Sequence, residues 1–321
     1  MKAKIVLVTG VSGLVGKAIV ASLMANSKFQ VVRCLRSKES AHTYVGDRYF
    51  DLSEPMTVPP MEDVNVVIHS AARVHIMKEV EGDAVAEFRR ANVDATLALA
   101  IHARDCGVAR FIYISSVKVN GESTTPGQAF KADDTPSPQD AYGRSKYEAE
   151  QGLLRLAACC DMEVVIIRPP LIFGPGVKAN FLSMMRWVRR GVPLPFGAIH
   201  NQRSMVYLDN LVDLVLRCIS HPAAANQIFL VSDPEPISTT LLLTMIANVM
   251  GLQPRLIPVP ILLLQFAAGA IGMQTIVQRL TGSLLVDIEK NRVLLDWTPP
   301  VQTIDGLRAT VNHFTGQPIS C

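Results

Sequence analysis

Apolar residues follow two rhythms along the first half of this chain. Short continuous runs at Lys4–Thr9, Val31–Leu35, Val64–His69, Arg110–Ser115 and Glu163–Arg168 read as strands covered on both faces. Between them apolar positions recur at helical spacing. Leu14, Ile19 and Leu23 mark a helix running to Asn26, Glu87–Cys106 reads as a long helix, and Ala149, Leu153 and Leu156 mark one over Tyr142–Cys160. Strand alternating with helix predicts an α/β fold with a doubly wound parallel sheet, in which ligands sit at the carboxyl ends of the strands. After Arg168 the rhythm breaks. Pro169, Pro170, Pro175, Pro193 and Pro195 interrupt it, and helices and loops take over. Residues 1–168 are therefore expected as one domain and 169–321 as a smaller, mostly helical part, with a strand near 227–231 returning to the sheet.

Composition narrows the class. Of 321 residues 49% are hydrophobic and only 18% charged, which predicts a large core. A net charge of +3, without a Lys/Arg block, argues against nucleic acid. The six cysteines show no Cys-x-x-Cys or zinc spacing, so reduced thiols and no metal are expected. The N-terminal apolar run passes straight into a glycine turn, unlike a signal peptide, and a cytoplasmic location is expected. Leu256–Gln278 carries no charge, yet Pro258, Pro260, Gln265 and Gln274 break it up. That favours a buried helix, or at most an interfacial one, over an integral membrane span; contact with a membrane stays open.

Three features carry chemistry. Gly10-x-x-Gly13-x-x-Gly16 follows a strand and opens a helix, the setting in which a Rossmann-type turn holds a dinucleotide pyrophosphate. The second strand then ends Arg33-Cys34-Leu35-Arg36, with no carboxylate until Glu39. A ribose 2′-hydroxyl calls for a carboxylate there, whereas Arg36, aided by Arg33, suits a 2′-phosphate, so NADP(H) is expected over NAD(H), with NAD(H) still open. Finally, Tyr142 and Lys146 lie four residues apart and share one helix face. A phenol with pKa of about 10 is lowered by a nearby ammonium, which equips Tyr142 to exchange a proton while a cofactor carries hydride. Ser116, at the end of a strand, is placed to align the reacting oxygen.

TGVSGLVG, Asp51-Leu52, IHSAA (Ile68–Ala72), NVDAT (Asn92–Thr96), SSVKVNG (Ser115–Gly121), Tyr142-x-x-x-Lys146 and RSMVYLDNLVD (Arg203–Asp213) occur in this order. Over nearly its whole length the chain resembles the extended short-chain dehydrogenases/reductases of the NAD-dependent epimerase/dehydratase family. KVNGE, RPPLIFGPGVKANF, PLPFGAIHNQRS and HPAAANQIFLVSD carry a narrower resemblance to bacterial UDP-N-acetylquinovosamine synthases, 4-keto reductases of O-antigen sugar biosynthesis. The resemblance implies Ser116, Tyr142 and Lys146 as catalytic residues. It implies cofactor contacts from Gly10, Ser12, Gly13, Leu14, Val15, Gly16, Asp51, Leu52, Ser70, Ala71, Ala72, Asn92 and Pro169. It also implies a UDP-sugar site using Asn180, Phe196 and Arg203 besides Ser116, and a homodimer. Three positions depart from the family: Leu171 stands for the usual Asn, Phe173 for Tyr, and Val74 for the Lys of UDP-galactose epimerases.

NADPH-dependent reduction of the C4 ketone of a UDP-4-keto-6-deoxy-N-acetylhexosamine is the expected activity. A UDP-hexose 4-epimerase with tightly bound NAD, a steroid or flavonoid reductase, and a non-catalytic dinucleotide sensor remain alternatives. The intact Ser116, Tyr142 and Lys146 count against a sensor, and Asn180 with Arg203 against a ligand lacking a diphosphate.

Overall fold

The computed structural model describes residues 3–37, 46–55, 57–74, 81–125, 127–270, 272 and 274–316. Its strands are β1 (Lys4–Thr9), β2 (Phe29–Leu35), β3 (Arg48–Tyr49), β4 (Val66–His69), β5 (Arg110–Ile114), β6 (Glu163–Arg168), β7 (Leu171–Phe173), β8 (Met205–Tyr207) and β9 (Ile228–Leu230). Seven form one sheet in the order β3-β2-β1-β4-β5-β6-β9, while β7 pairs with β8 apart from it. Every pairing in the large sheet is parallel, with Lys4 opposite Phe29 and Val6 opposite Val66. Strand order reverses between β1 and β4. The crevice beyond their carboxyl ends is where a doubly wound sheet receives a ligand.

The helices are α1 (Leu14–Met24), α2 (Glu81–Phe88), α3 (Ala95–Asp105), α4 (Ala141–Ala157), α5 (Ala179–Arg189), α6 (Leu208–Ser220), α7 (Thr239–Val249), α8 (Ile261–Ala270), α9 (Gln274–Thr281), α10 (Glu289–Leu295) and α11 (Thr303–Thr315). A π-helical turn, Arg89–Asp94, joins α2 to α3. Alternate residues of each strand feed opposite faces of the sheet. Val6, Val8, Ile68, Ile112 and Val165 pack under α1 and α6. Leu7, Val67, Phe111 and Val164 pack under α3 and α4. This double burial explains why the strands read as unbroken apolar runs.

The chain after Arg168 contributes to both parts of the molecule. β9 extends the main sheet beside β6, and α6 joins the core beneath it. Phe173, Phe181, Met184, Tyr207, Ile246 and Val311 centre a second core built from β7, β8, α5, α7 and α11. The two-stranded β7–β8 sheet was not expected: three-residue strands are too short to show a period.

The uncharged stretch differs most from expectation. Helix α8 buries only Leu264 and Ala268, whereas Leu262, Leu263 and Phe266 are 79%, 59% and 81% exposed. It is a surface helix, not a buried one. Among the described residues no helix is long and apolar enough to cross a membrane.

Candidate active site

The glycine turn closes onto the loop that leaves β4. Gly10 has φ +71°, and a Cβ there would lie 2.7 Å from the Ala71 nitrogen and 2.8 Å from the Ser70 carbonyl carbon. A Cβ on Gly16 would lie 2.2 Å from the Gly10 oxygen. Side chains at either position would push β1, α1 and the Ser70 loop apart. The loop is pinned by Ser70 Oγ donating to Thr9 O (2.6 Å) and Ala71 N donating to Thr9 Oγ1 (3.3 Å). Below it His69 bridges Thr9 Oγ1 through Nδ1 (2.7 Å) and Thr96 Oγ1 through Nε2 (3.0 Å). Burial, with a smaller contribution from Lys146, lowers the His69 pKa to about 3, so it is a neutral structural post. Helix α1 begins after Gly13 with no side-chain cap and no acid in its first turn. Ser12 is exposed at this turn, while Leu14 and Val15 are partly buried against the core. The cradle fits a dinucleotide pyrophosphate: its walls are backbone, and its helix offers uncapped N–H donors to an anion.

Helix α4 brings the second half of the site. Asp140 caps it by accepting from Gly143 N at 2.7 Å. The ammonium of Lys118 bonds Asp140 and also Glu122 (2.9 Å). Ser116 caps the short 3-10 turn Val117–Val119, its Oγ accepting from Lys118 N at 3.2 Å. Val117 N donates to Pro169 O at 3.0 Å, which ties this loop to the end of β6. A Cβ on Gly143 would lie 2.9 Å from the Lys118 oxygen. The start of α4 and the Ser116 loop are thus in backbone contact, which gathers Ser116 and Tyr142 at one end of the sheet.

Lys146 is 1% exposed, donates to Ile114 O at 2.9 Å, and lies 4.5 Å above the Tyr113 ring and 6.0 Å from the Tyr142 ring centre. Burial lowers its pKa to about 7, opposed by the charge of Glu150. Tyr142 packs against Phe88, edge to face at 6.0 Å. Its phenol is shifted upward, chiefly by burial and then by Asp140. This reverses the expected depression. Desolvation outweighs the ammonium here, and Tyr142 stands as a protonated donor at neutral pH.

Asn92, in the π-helical turn, fastens the two halves. Its Oδ1 accepts from Arg73 N (2.9 Å), and its Nδ2 donates to Arg73 O and Ser145 Oγ (both 3.0 Å). Ser145 Oγ donates in turn to Tyr142 O at 2.8 Å. A π turn places this amide inward, a common use of such turns at functional sites. Both ends of the Asn92 side chain are occupied, so it positions the loop and helix.

One turn beyond Lys146, Glu150 is fully buried and pairs with Arg168, Nη2 to Oε2 at 2.6 Å and Nε to Oε1 at 3.0 Å. Ser115 Oγ also donates to Glu150, and Arg168 Nη1 donates to Asn120 Oδ1 at 3.0 Å. This network links α4, the end of β5 and the end of β6. Neither Glu150 nor Arg168 was anticipated. Glu150 was findable as the next member of the Tyr142–Lys146 stripe, and Asp140 as a helix cap. The Arg168 pairing is a contact between distant segments and had no local signal.

The other expected residues spread over two regions. Arg33 is engaged by Asp47, Nε to Oδ1 at 2.9 Å and Nη2 to Oδ2 at 2.5 Å, while Arg36 is exposed at the end of β2. Glu39 lies outside the described residues. Asp51 folds its own turn by accepting from Ser53 N at 2.8 Å, Leu52 packs on the core, and Ala72 is partly buried beyond Ala71. Farther along, Asn180 is exposed at the start of α5, whereas the Phe196 ring belongs to the second core. Arg203 donates to Arg279 O (2.8 Å) and Gly282 O (3.0 Å); burial lowers its pKa, opposed by the charge of Glu122. Among the described residues no His/Cys/Asp/Glu cluster suited to a metal occurs.

Comparison with known proteins agrees with this geometry. The profile of the NAD dependent epimerase/dehydratase family matches residues 6–232. The chain is 44% identical over 316 residues to a UDP-glucose 4-epimerase of Vibrio cholerae, covering 97% of this chain and 95% of that one. A UDP-glucuronic acid 4-epimerase from Bacillus cereus, solved with NAD, superposes with a TM-score of 0.76 at 20% identity over 97% of this chain and 99% of its own. RMD from Pseudomonas aeruginosa, solved with NADPH, gives 0.74 at 22% identity over 98% and 100%. The two structures establish the shared fold. With the family profile spanning the glycine turn, the Ser116 loop and the Tyr142–Lys146 helix, the chain belongs to the NAD-dependent epimerase/dehydratase family of extended short-chain dehydrogenases/reductases.

Proposed function

We propose that this protein reduces the C4 ketone of a UDP-4-keto-6-deoxy-N-acetylhexosamine, with NADPH as the donor, to supply a 6-deoxy sugar nucleotide for bacterial surface polysaccharide. One observation carries the reading: a protonated Tyr142 and a buried Lys146 stand at the same sheet end as the glycine cradle. A nicotinamide dinucleotide supplies hydride when bound. Gly10, Gly13, Gly16 and the Ser70–Ala72 loop would hold its pyrophosphate side, and Arg36 would meet the ribose phosphate. Arg33, already held by Asp47, has the lesser part.

The chain's own residues then handle the proton. Tyr142 gives its phenolic proton to the ketone oxygen, and Ser116 Oγ donates a hydrogen bond to the same oxygen as negative charge develops there. Lys146, with a pKa near neutrality, stabilises the phenolate left behind and returns the proton. Tyr142 is protonated at neutral pH, the state from which reduction starts. Arg203, whose hydrogen bonds go to the backbone carbonyls of Arg279 and Gly282, can take up the diphosphate of the substrate.

A second reading, UDP-hexose 4-epimerase, is favoured by the Vibrio cholerae relative. One assay separates them. A reductase consumes NADPH stoichiometrically with a UDP-4-keto-6-deoxy-N-acetylhexosamine and leaves UDP-glucose unchanged. Interconversion of UDP-glucose and UDP-galactose without added cofactor, and no NADPH consumption with the keto sugar, would replace the reductase by the epimerase. Arg36→Asp is expected to weaken NADPH use and spare NADH. Wild-type preference for NADH would refute the 2′-phosphate assignment.

A further inference from the structure

The second core carries an apolar surface that it leaves uncovered. Helix α8 has one polar side chain, Gln265, and exposes Leu262, Leu263 and Phe266. The segment leading into it exposes Ile257 (50%) and is paired backbone to backbone with Leu194, which brings Val192 (44% exposed) alongside. Patches of this kind on a folded protein mark an interaction site. Charge beside it indicates the partner. Residues 169–208 and 236–286 contain seven lysines and arginines and no Asp or Glu. Two of these cations flank the patch: Arg190 follows α5, and Arg255 bonds the adjacent Gly191 oxygen at 3.3 Å. Both are exposed.

We infer that α8 and its flanking arginines form a docking face for the surface of an anionic lipid bilayer, the helix lying in the plane of the headgroups. A second copy of the chain fits less well. A twofold contact places the same patch on both sides, which would oppose the arginines of one copy to those of the other with no acid in either stretch to pair them. Anionic headgroups supply the missing charge, and the interface between headgroups and acyl chains receives Leu262, Leu263 and Phe266. The inference is independent of which sugar nucleotide the active site uses.

The test is co-sedimentation of the full-length protein with vesicles of phosphatidylcholine alone and of equimolar phosphatidylcholine and phosphatidylglycerol. Binding to the anionic vesicles only, weakened by salt, is expected. Leu262→Ser/Phe266→Ser should lower the partition coefficient about 100-fold. Arg190→Gln/Arg255→Gln should lower it about 25-fold. All four positions are exposed and outside the proposed active site, so thermal midpoint and turnover should stay at wild-type values. No sedimentation with anionic vesicles, equal binding to both kinds, or indifference to either double variant overturns the proposal. So does light scattering that shows a dimer dissolved by Leu262→Ser/Phe266→Ser, which would assign the face to a second copy.

Discussion

Replacing Glu150 by Gln tests how the site is held together. The substitution keeps size and removes charge, leaving Arg168, 1% exposed, with an unpaired guanidinium in the interior. Breaking one side of a buried ion pair costs ~3–5 kcal/mol, a large part of the ~5–15 kcal/mol that stabilises a typical fold. Arg168→Met should cost about as much, because it strands the Glu150 carboxylate and also loses the bond to Asn120. The double variant should then cost less than the sum, with a coupling of roughly 1–3 kcal/mol, since neither charge is left alone. Urea unfolding followed by circular dichroism measures all three. A second readout separates positioning from stability. Glu150 raises the pKa of Lys146, so Glu150→Gln should move the pH–rate midpoint assigned to Lys146 to lower pH. Single variants costing under about 1 kcal/mol, strict additivity, or an unmoved pH–rate midpoint would refute the reasoning.

Tyr142→Phe removes only the phenolic proton donor and should cost roughly 10²–10⁴ in turnover, with cofactor binding by fluorescence retained; a near wild-type rate would end the proposed mechanism. UDP alone should raise the thermal midpoint of the wild type, as a ligand selective for the folded state does, and Arg203→Ala should abolish that rise while preserving the one caused by NADPH. Full retention of the UDP shift in Arg203→Ala would remove Arg203 from the substrate site. His69 sits well below its ordinary pKa of 6.5, at about 3 when folded, so the unfolded chain binds the extra proton between those values. Its contribution to stability is present above pH 6.5 and is lost as pH falls towards 3. His69→Gln should reduce the acid slope of stability in that window by up to about 1.4 kcal/mol per pH unit, and an unchanged slope would show that His69 already titrates normally.

The amino-acid sequence by itself determined the parallel sheet, because strands buried on both faces must be apolar throughout and the helices between them must carry a stripe. It also determined the glycine cradle and the Tyr142–Lys146 pair, whose spacing is set by local backbone geometry. The tertiary structure decided everything that depends on neighbours distant in the chain. Asp47 occupies Arg33, a partner that propensity could not name. Asn92 is a clamp because a π turn aims it at Arg73 and Ser145. Burial of Tyr142 and Lys146 reverses the expected direction of the phenol shift, since desolvation depends on what packs around a group and not on its spacing along a helix. The same holds for Leu256–Gln278. Its hydropathy predicted burial, but hydropathy records only what a segment can bury; where α8 sits in the fold leaves Leu262 and Phe266 facing outward.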